Sequence, residues 1–424
     1  MSARSSAQER DLQSAGARTG PNPWVVVAVA FAALALSFAF RAVIGIAMPS
    51  WEASLGWTRD VISGYGALAL VLMAFLFPLV GMIVDRLGAR GVLVVGLIAM
   101  TIAMGLIATM TSPWQLALGY GLIGGIAFTL VGNTVVTVMV ARAFEARRGL
   151  ATGIATSGAT GGQFIFVPLL TVAFASIGWR TSFGIAAAIC FGLAVLTFIV
   201  LRGEAPARPA AATPAQRSAG ALRAFLRDPG FHALAASFFV CGVTTTGVIE
   251  THLLPFAALC GFAALPSALA YSLMSGCNLF GMMACGWLCD RYNRSHILGV
   301  IYAVRAASFL ILLVIGSDYT LLIVFAIVFG TFEFATLPAT AGLTAARYGV
   351  ANLGKVMGFL MMAHSLGAAL GAYAGGRIFV QFGNYDAAWI GSALGALVAA
   401  LVVFAATDPR HSRPSAGRGA PATA

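Results

Sequence analysis

The chain has 424 residues, of which 60% are hydrophobic and only 9% are charged, and its mean hydropathy is +0.92. This composition excludes an ordinary soluble domain and predicts a protein embedded in a lipid bilayer. The net charge of +11 suggests nucleic-acid binding at first sight. The positions of the basic residues along the chain, described below, exclude that function.

Twelve apolar segments are each long enough to cross a bilayer, which takes roughly 20 helical residues. They are residues 24–48, 58–84, 91–110, 113–141, 148–177, 179–201, 231–258, 265–289, 295–316, 318–343, 351–380 and 386–407. The first segment is too long and too poorly flanked for a cleaved signal peptide, so it is predicted to be helix 1. The predicted fold is all-α and integral to the membrane.

Basic residues are distributed unequally between the two sides of this predicted bundle. Twenty of the 25 Lys and Arg residues lie in the tails or in the loops after helices 2, 4, 6, 8 and 10, whereas the other loops contain Arg59, Arg180 and Arg377. This positive-inside pattern predicts that both termini are cytoplasmic, so the basic excess needs no nucleic acid. The preference for Arg over Lys and the abundance of Ala indicate a GC-rich bacterial genome, hence an inner-membrane location.

A polar connection divides the helices into two groups of six. Residues 202–230 are rich in Ala, Pro and Arg and are predicted to be a flexible cytoplasmic linker between the halves 24–201 and 231–407. Residues 1–23 and 408–424 are predicted to be cytoplasmic tails. A shift of 205 residues superimposes three pairs of residues, which are Gly56 and Gly261, Gly81 and Gly286, and Asp85 and Asp290. Two parallel six-helix repeats around a central cavity are typical of a rocking transporter.

The repeated segments also carry a resemblance to a known family. Residues 81–90, GMIVDRLGAR, resemble the cytoplasmic signature of the major facilitator superfamily, and residues 286–294, GWLCDRYNR, form a degenerate copy. The resemblance covers essentially residues 24–407. It implies charge pairs across the cytoplasmic seam that lock the outward-facing state. The implied conformational gating residues are Gly81, Asp85, Arg86, Arg90, Arg147, Arg148, Asp290 and Arg291.

A narrower resemblance rests on two further segments. Residues 142–162, RAFEARRGLATGIATSGATGG, are similar to a conserved block of the monocarboxylate transporters, and residues 55–63, LGWTRDVIS, resemble that family and its bacterial oxalate/formate relatives. The resemblance implies a small organic anion, a mono- or dicarboxylate, as the substrate. The chain departs from the family at Met282, where those carriers have an arginine on helix 8, so other basic residues must bind the carboxylate.

Small residues recur every four positions on two helices. Helix 5 carries Gly149, Gly153, Ser157 and Gly161, and helix 11 carries Gly367, Gly371 and Gly375. Such stripes predict close contact with another helix, because small side chains let two backbones approach. Tight static packing and sliding between the two states are both compatible with them.

Six ionisable residues lie at membrane depth, where an arginine costs about 2.5–3.5 kcal/mol on insertion scales, so each is a functional-site hypothesis. They are Arg41, Glu250, His252, Arg305, Glu333 and His364. Arg41 shares a small, partly polar face with Ser37 and Gly45. In the monocarboxylate family a lysine at about this place contributes to substrate binding. We expect Arg41 to bind a carboxylate with two parallel hydrogen bonds; the alternative is a structural ion pair with a buried glutamate.

The other buried ionisable residues are given separate roles. Glu333 is expected either to carry a coupling proton or to pair with Arg41 or Arg305. Glu250 and His252 lie about 200° apart on an α-helix. We favour Glu250 for the cavity, with a substrate or proton role, and His252 for packing, aided by a helix break at Pro255. The remaining roles are substrate binding for His364, Asn133 and Asn278, and structural pairing for Arg305.

The sequence thus favours a proton-coupled secondary transporter for a small carboxylate, working as a monomer by alternating access and requiring no cofactor or metal. The chain lacks a phosphate-binding G-x-x-x-x-G-K-[ST] loop and the constellations typical of enzymes. One alternative is proton-coupled efflux of apolar or cationic compounds, with Glu250 and Glu333 attracting the cation. A transporter-like sensor is a more remote one.

Overall fold

The computed structural model describes residues 22–144, 148–202 and 227–405. Regular structure in these ranges is helical throughout, and twelve helices are long and apolar enough to cross a bilayer, which confirms the predicted fold class. In chain order they are α1 Pro23–Leu55, α2 Arg59–Val80, α3 Gly88–Ala108, α4 Pro113–Val140, α5 Ala151–Ile177, α6 Trp179–Val200, α7 Pro229–Leu259, α8 Ala264–Arg291, α9 Arg294–Val314, α10 Tyr319–Tyr348, α11 Asn352–Phe382 and α12 Asp386–Ala405.

Most helix ends lie within a few residues of the predicted ones, and α1 is the largest exception. It continues through Pro49 and ends at Leu55, where Gly56 adopts φ +70° and its N–H bonds to the carbonyl of Glu52. A left-handed glycine is the usual way to end a helix. Gly261, which follows α7 at the repeat spacing, has φ +83°, so a left-handed glycine follows the first helix of each half.

Because the number of crossings is even, the described chain begins and ends on the same side of the bundle. This side, which also receives residues 202 and 227, is called the terminal face, and the opposite side the distal face. Nearly all of the predicted tails and most of the predicted linker, residues 203–226, lie outside the described residues.

Gly88 marks the connection between α2 and α3 on the terminal face. The helical stretch Arg59–Ala108 is interrupted there by one residue with φ +74° and ψ 151°. Among the predicted gating residues, Arg147 and the side chains of Gly81, Asp85, Arg86 and Arg148 lie outside what the structure describes.

Three gating side chains are described in this conformation. Arg90 donates from Nη2 to the carbonyl of Phe198 at 2.6 Å and lies over the Phe198 ring, so it binds α6 of its own half. Arg291 lies 3.9 Å over the ring of Trp287, one turn earlier on α8, and Asp290 is exposed. In this conformation Arg90 and Arg291 thus bind within their own halves, and the pairs across the seam, which belong to the outward-facing state, stay a prediction.

Asp228 ties two helices of the second half together at the terminal face. It caps α7 by accepting from the N–H of Gly230, and it accepts from Arg347 Nε and Nη2 at 2.6 and 2.7 Å. The hydrogen bond from Arg347 holds the pKa of the Asp228 carboxyl well below its usual range. The capped end of α7 is thereby fixed against the end of α10.

Glycines set the closest helix contacts. On α11 the predicted stripe is confirmed, since Gly367 and Gly371 face carbonyls of α7 with no room for a Cβ. On α5 the closest contacts lie one position after the predicted stripe. A Cβ on Gly158 or Gly162 would overlap the carbonyls of Phe31 and Ala35 on α1. Of the predicted stripe, Gly161 faces the Phe31 ring, Gly153 has open space beside it, and the surroundings of Gly149 lie outside what the structure describes.

We expect Gly162→Ala to destabilise the protein by about 1–3 kcal/mol, because its methyl group overlaps the α1 backbone. The measurement is the apparent unfolding temperature of the purified protein in detergent, which should fall by several degrees. Gly153→Ala on the same helix is the matched control, and its unfolding temperature should stay the same or rise slightly. Equal losses in the two variants would show that close α1–α5 contact is not what Gly162 provides.

Candidate functional site

Three helices are irregular near the middle of the bundle. Wide π turns occupy Ala117–Gly124 in α4 and Val243–Ile249 in α7, and α10 is interrupted between Phe332 and Thr336. Such turns often occur at functional sites because they redirect side chains and free backbone groups. The cavity described next is lined by two of these helices.

The structure corrects the position of the irregularity in α7. The predicted break at Pro255 is absent, since the helix Glu250–Leu259 runs through the proline. The wide turn lies earlier, at Val243–Ile249, and the Thr251 hydroxyl donates to the Thr246 carbonyl at 3.1 Å. A threonine hydroxyl thus adds a donor to a backbone carbonyl within the wide turn.

A small cavity lies between the two halves at this depth. The space open to the centre of a water molecule is about 20 Å³, which is room for one water. Its wall comprises Arg41, Ile44, Gly66, Ala69, Leu70, Met73, Tyr120, Phe128, Thr246, Glu250 and Thr251. Most of the wall is apolar, and its charged side chains are one guanidinium and one carboxyl group.

Arg41 brings the positive charge to the cavity from α1. Its guanidinium lies 4.7 Å from the centre of the Phe38 ring, and its backbone carbonyl accepts from the Tyr120 hydroxyl at 2.9 Å. Among the described residues it has no carboxylate within ion-pair distance. The alternative of a structural ion pair is therefore not realised in this conformation.

Glu250 brings the negative charge from α7, on the other half. It is 6% exposed and lines the cavity one turn after Thr246 on the same helix. α1 and α7 touch each other one turn further along α1. A Cβ on Gly45 of α1 would be 2.8 Å from the Glu250 carbonyl.

His252 points away from the cavity and holds α7 in place. Its Nε2 lies 2.8 Å from the Ala372 carbonyl on α11, and its Nδ1 lies 3.2 Å from the Tyr385 hydroxyl. Because a carbonyl only accepts, Nε2 carries the proton and Nδ1 accepts from Tyr385. These contacts fit the packing role expected for this histidine.

A buried polar cluster fills the second half beside the cavity. Arg305 is fully buried and donates to Thr244 Oγ1 at 2.5 Å and to the Cys241 sulfur at 3.2 Å. Glu333 is 1% exposed at the interruption of α10, and neither of its carboxyl oxygens has a hydrogen-bond partner among the described residues. The predicted pairing of Glu333 with Arg41 or Arg305 is thus absent here.

Three residues predicted to bind substrate lie outside the cavity wall. His364 is half-buried beside the Phe238 ring and the Cys241 thiol. Asn278 is fully buried and accepts from the Phe334 N–H at 3.3 Å, where it supports the interruption in α10. Asn133 is exposed at the start of the helical segment that follows Gly132. In this conformation the structure therefore brings only Arg41 and Glu250 of the predicted set together.

The sequence reasoning missed Tyr120 and the distal ion-pair cluster. This cluster comprises Glu52, Arg59, Asp60, Arg377, Phe379 and Tyr385. Arg59 binds Glu52 at 2.7 Å and the Tyr385 hydroxyl at 3.0 Å, and its guanidinium lies 3.8 Å over the Phe379 ring. The cluster thereby joins α1 and α2 of the first half to α11 and to Tyr385, just before α12, in the second half. The sequence does contain a signal for this cluster, because the few charged residues on the distal side include both acidic and basic ones.

Comparisons with known proteins agree with this architecture. The sequence model described as Major Facilitator Superfamily matches residues 30–304 and 267–424. Human monocarboxylate transporter 11 is 27% identical over 89% of this chain and 81% of its own length. The fujikurins efflux protein of Gibberella fujikuroi is 25% identical over 79% of this chain and 74% of its own.

A solved structure shows the same fold. It is a bacterial homolog of the human lysosomal transporter Spinster in an inward-facing and occupied conformation. It superimposes with a TM-score of 0.71 and 16% identity over 91% of this chain and 97% of that one.

Removing the guanidinium of Arg59 should open the distal face. Breaking a buried ion pair costs several kcal/mol. We therefore expect that in Arg59→Ala an impermeant thiol reagent, added from the distal side, labels a cysteine introduced by Thr246→Cys at least about tenfold faster. The assay uses a background without the native cysteines. Arg377, whose side chain is 60% exposed, should give a smaller effect, and Arg180→Ala on the same face none. Equal rates in Arg59→Ala and the parent would contradict a closing role.

Proposed function

Because the chain belongs to the major facilitator superfamily, we propose that it is a secondary transporter that moves a small carboxylate across the bacterial inner membrane by alternating access. The transport function and the multi-pass fold follow from the family. We propose in addition that the substrate is a carboxylate, that transport is coupled to protons, that the protein is a monomer and that both termini are cytoplasmic. The two predicted six-helix halves, 24–201 and 231–407, are the moving units.

The single observation that carries the substrate class is the Arg41 guanidinium. It lies at the cavity between the halves and has no carboxylate partner in the described parts of the chain, at a depth where an uncompensated cation is costly. An anionic ligand supplies that compensation, and a guanidinium binds a carboxylate with two parallel hydrogen bonds. The similarity to human monocarboxylate transporter 11 supports a monocarboxylate. Asn133, Asn278 and His364 remain candidates for a conformation in which the cavity is wider.

Proton coupling is proposed from the two carboxyl groups of the second half. Glu333 is buried, no described residue donates a hydrogen bond to either of its oxygens, and a full negative charge in such a place is expensive. Protonation removes that cost, so uptake and release of a proton at Glu333 changes the energy of the surrounding helices. Glu250 is the second carboxyl near the pathway and lines the cavity itself.

The gating proposal combines both faces. The distal ion-pair cluster holds the halves together at the distal face in this conformation. In the opposite state, the signature residues Gly81, Asp85, Arg86, Arg90, Arg147, Arg148, Asp290 and Arg291 take over that function at the terminal face. The rearrangement requires Arg90 to leave Phe198 and Arg291 to leave Trp287.

Proton-coupled efflux of an apolar or cationic compound is the second candidate. Its supporting observations are the Glu250 carboxyl group in a mostly apolar cavity and the similarity to the fujikurins efflux protein. In this case the Glu250 carboxyl group attracts the cationic compound, and the Arg41 guanidinium moves away from the bound cation. Increased drug sensitivity of a deletion strain, with unchanged carboxylate uptake, favours this function over the first.

Arg41→Ala should abolish carboxylate uptake, since the compensating cation is lost, whereas Arg41→Lys should retain part of it as a single-point contact. The measurement is uptake of radiolabelled propanoate or pyruvate into proteoliposomes, with Arg180→Ala as a control that keeps the parent rate. Unchanged uptake by a folded Arg41→Ala protein would rule out Arg41 as the carboxylate site.

Glu333→Gln should separate proton movement from substrate movement. Because the amide is neutral at every pH, accumulation driven by a pH gradient should fall to the background, while exchange of internal for external substrate continues. Both are measured in the same proteoliposomes. Asp318→Asn, an exposed helix cap outside the pathway, is the control. Retention of gradient-driven accumulation in Glu333→Gln would assign the proton to another group.

A further inference from the structure

The cavity wall carries two opposite charges that do not neutralise each other. Arg41 and Glu250 come from different halves and line the same space, yet among the described residues no ion pair joins them. Arg41 is directed to the Phe38 ring, and Glu250 lines the wall one turn after Thr246. The gap between them holds about one water molecule.

A substrate with only a carboxylate does not match both walls. When such an anion binds Arg41, an ionised Glu250 faces it across the gap, and two like charges at this distance repel. The repulsion ends in one of two ways. Either Glu250 is neutral, or the substrate itself supplies a positive group.

The surroundings of the two buried carboxyl groups distinguish these possibilities. Glu333 has no donor at either oxygen among the described residues, which favours the neutral carboxyl. Glu250 instead lines the cavity together with Arg41, so a positive group of a bound ligand can reach its carboxyl group. The protein therefore has a separate group for the proton, and Glu250 is left for the ligand.

We infer that the substrate is zwitterionic, with a carboxylate bound by Arg41 and an ammonium group bound by Glu250. The inference rests on the proposed function, in which Arg41 binds a carboxylate. Ile44, Leu70, Met73 and Phe128 complete the wall, so the remainder of the substrate is apolar. Amino acids with small or apolar side chains have this chemistry.

Zwitterion binding also draws the two halves together. The ammonium contacts α7 and the carboxylate contacts α1, so one ligand bridges helices that belong to different moving units. A ligand with both charges stabilises the state in which the two halves close around the cavity more than a ligand that contacts a single half.

The test uses matched pairs of ligands that differ only in the amino group. They are alanine and propanoate, leucine and 4-methylpentanoate, and phenylalanine and 3-phenylpropanoate, with the methyl ester of each amino acid as the version lacking the carboxylate. Binding is measured by isothermal titration to the purified full-length protein at neutral pH. We expect the amino acid of at least one pair to bind about tenfold more tightly than its deamino partner, which is the size of a charged hydrogen bond.

Glu250→Gln supplies the second readout. It should lower the affinity for that amino acid by about tenfold and remove the difference within the pair. Asp318→Asn, at an exposed helix cap outside the cavity wall and the distal ion-pair cluster, is the control and should keep the difference. Because the pairs are compared first in the unmodified protein, the inference is tested even where Glu250→Gln does not fold.

The outcomes separate the inference from the proposed function. If each deamino acid binds as tightly as its amino acid, or Glu250→Gln weakens both members of a pair equally, the substrate is a simple carboxylate and the inference is wrong. If only the methyl esters bind, the site is one for cations, and both the inference and the carboxylate proposal are overturned. If none of the ligands binds, both are likewise rejected.

Discussion

Compensation of buried charge is the constraint on which the rest of this structure depends. An ionised group in a low-dielectric interior is stable only when donors, acceptors or opposite charges surround it. Arg305 meets this condition at two of its three guanidinium nitrogens, which bind Thr244 and Cys241 beside two aromatic rings, whereas its Nε has no hydrogen-bond partner among the described residues. Arg59 does so at the distal face with Glu52 and Tyr385. Arg41, Glu250 and Glu333 meet it less completely, and these three carry the proposed function.

The irregular helices follow from the same constraint. A wide turn or an interruption frees backbone groups, and these are acceptable at membrane depth only where side chains bind them. Thr251 donates to the Thr246 carbonyl within the wide turn of α7, and Asn278 accepts from an N–H at the interruption of α10. Polar residues that suggest a substrate site in the sequence are thus partly engaged in supporting the backbone around the site.

How far the sequence predicts the structure depends on the range of the interaction. Helix number, helix order and the close contact of α11 follow from apolar segment length and glycine spacing, which are local properties. The contact face of α5 is shifted by one residue, because the spacing of small residues on a helix leaves two neighbouring faces available and only the partner helix selects one. Likewise, Pro255 is locally a helix breaker, but tertiary packing keeps the helix intact around it.

The candidate site shows the same limit. Arg41 and Glu250 could be predicted because a charge in an apolar helix stands out in the sequence. Tyr120 could not, since a tyrosine in a membrane helix is unremarkable until α4 is placed beside α1. His364 and Asn278 appeared equivalent to Glu250 in the sequence, and only the rotation of each helix about its axis separates them.

The tyrosine hydroxyl at the distal face has a consequence for coupling. Hydrogen bonds run from Glu52 through Arg59 and Tyr385 to His252 and the Ala372 carbonyl. His252 is two residues from Glu250, so any rotation of α7 that moves the Glu250 carboxyl toward a ligand also displaces the imidazole from Tyr385. Ligand binding in the cavity and closure of the distal face then depend on the same rotation of α7. Each changes the free energy of the other by the same amount.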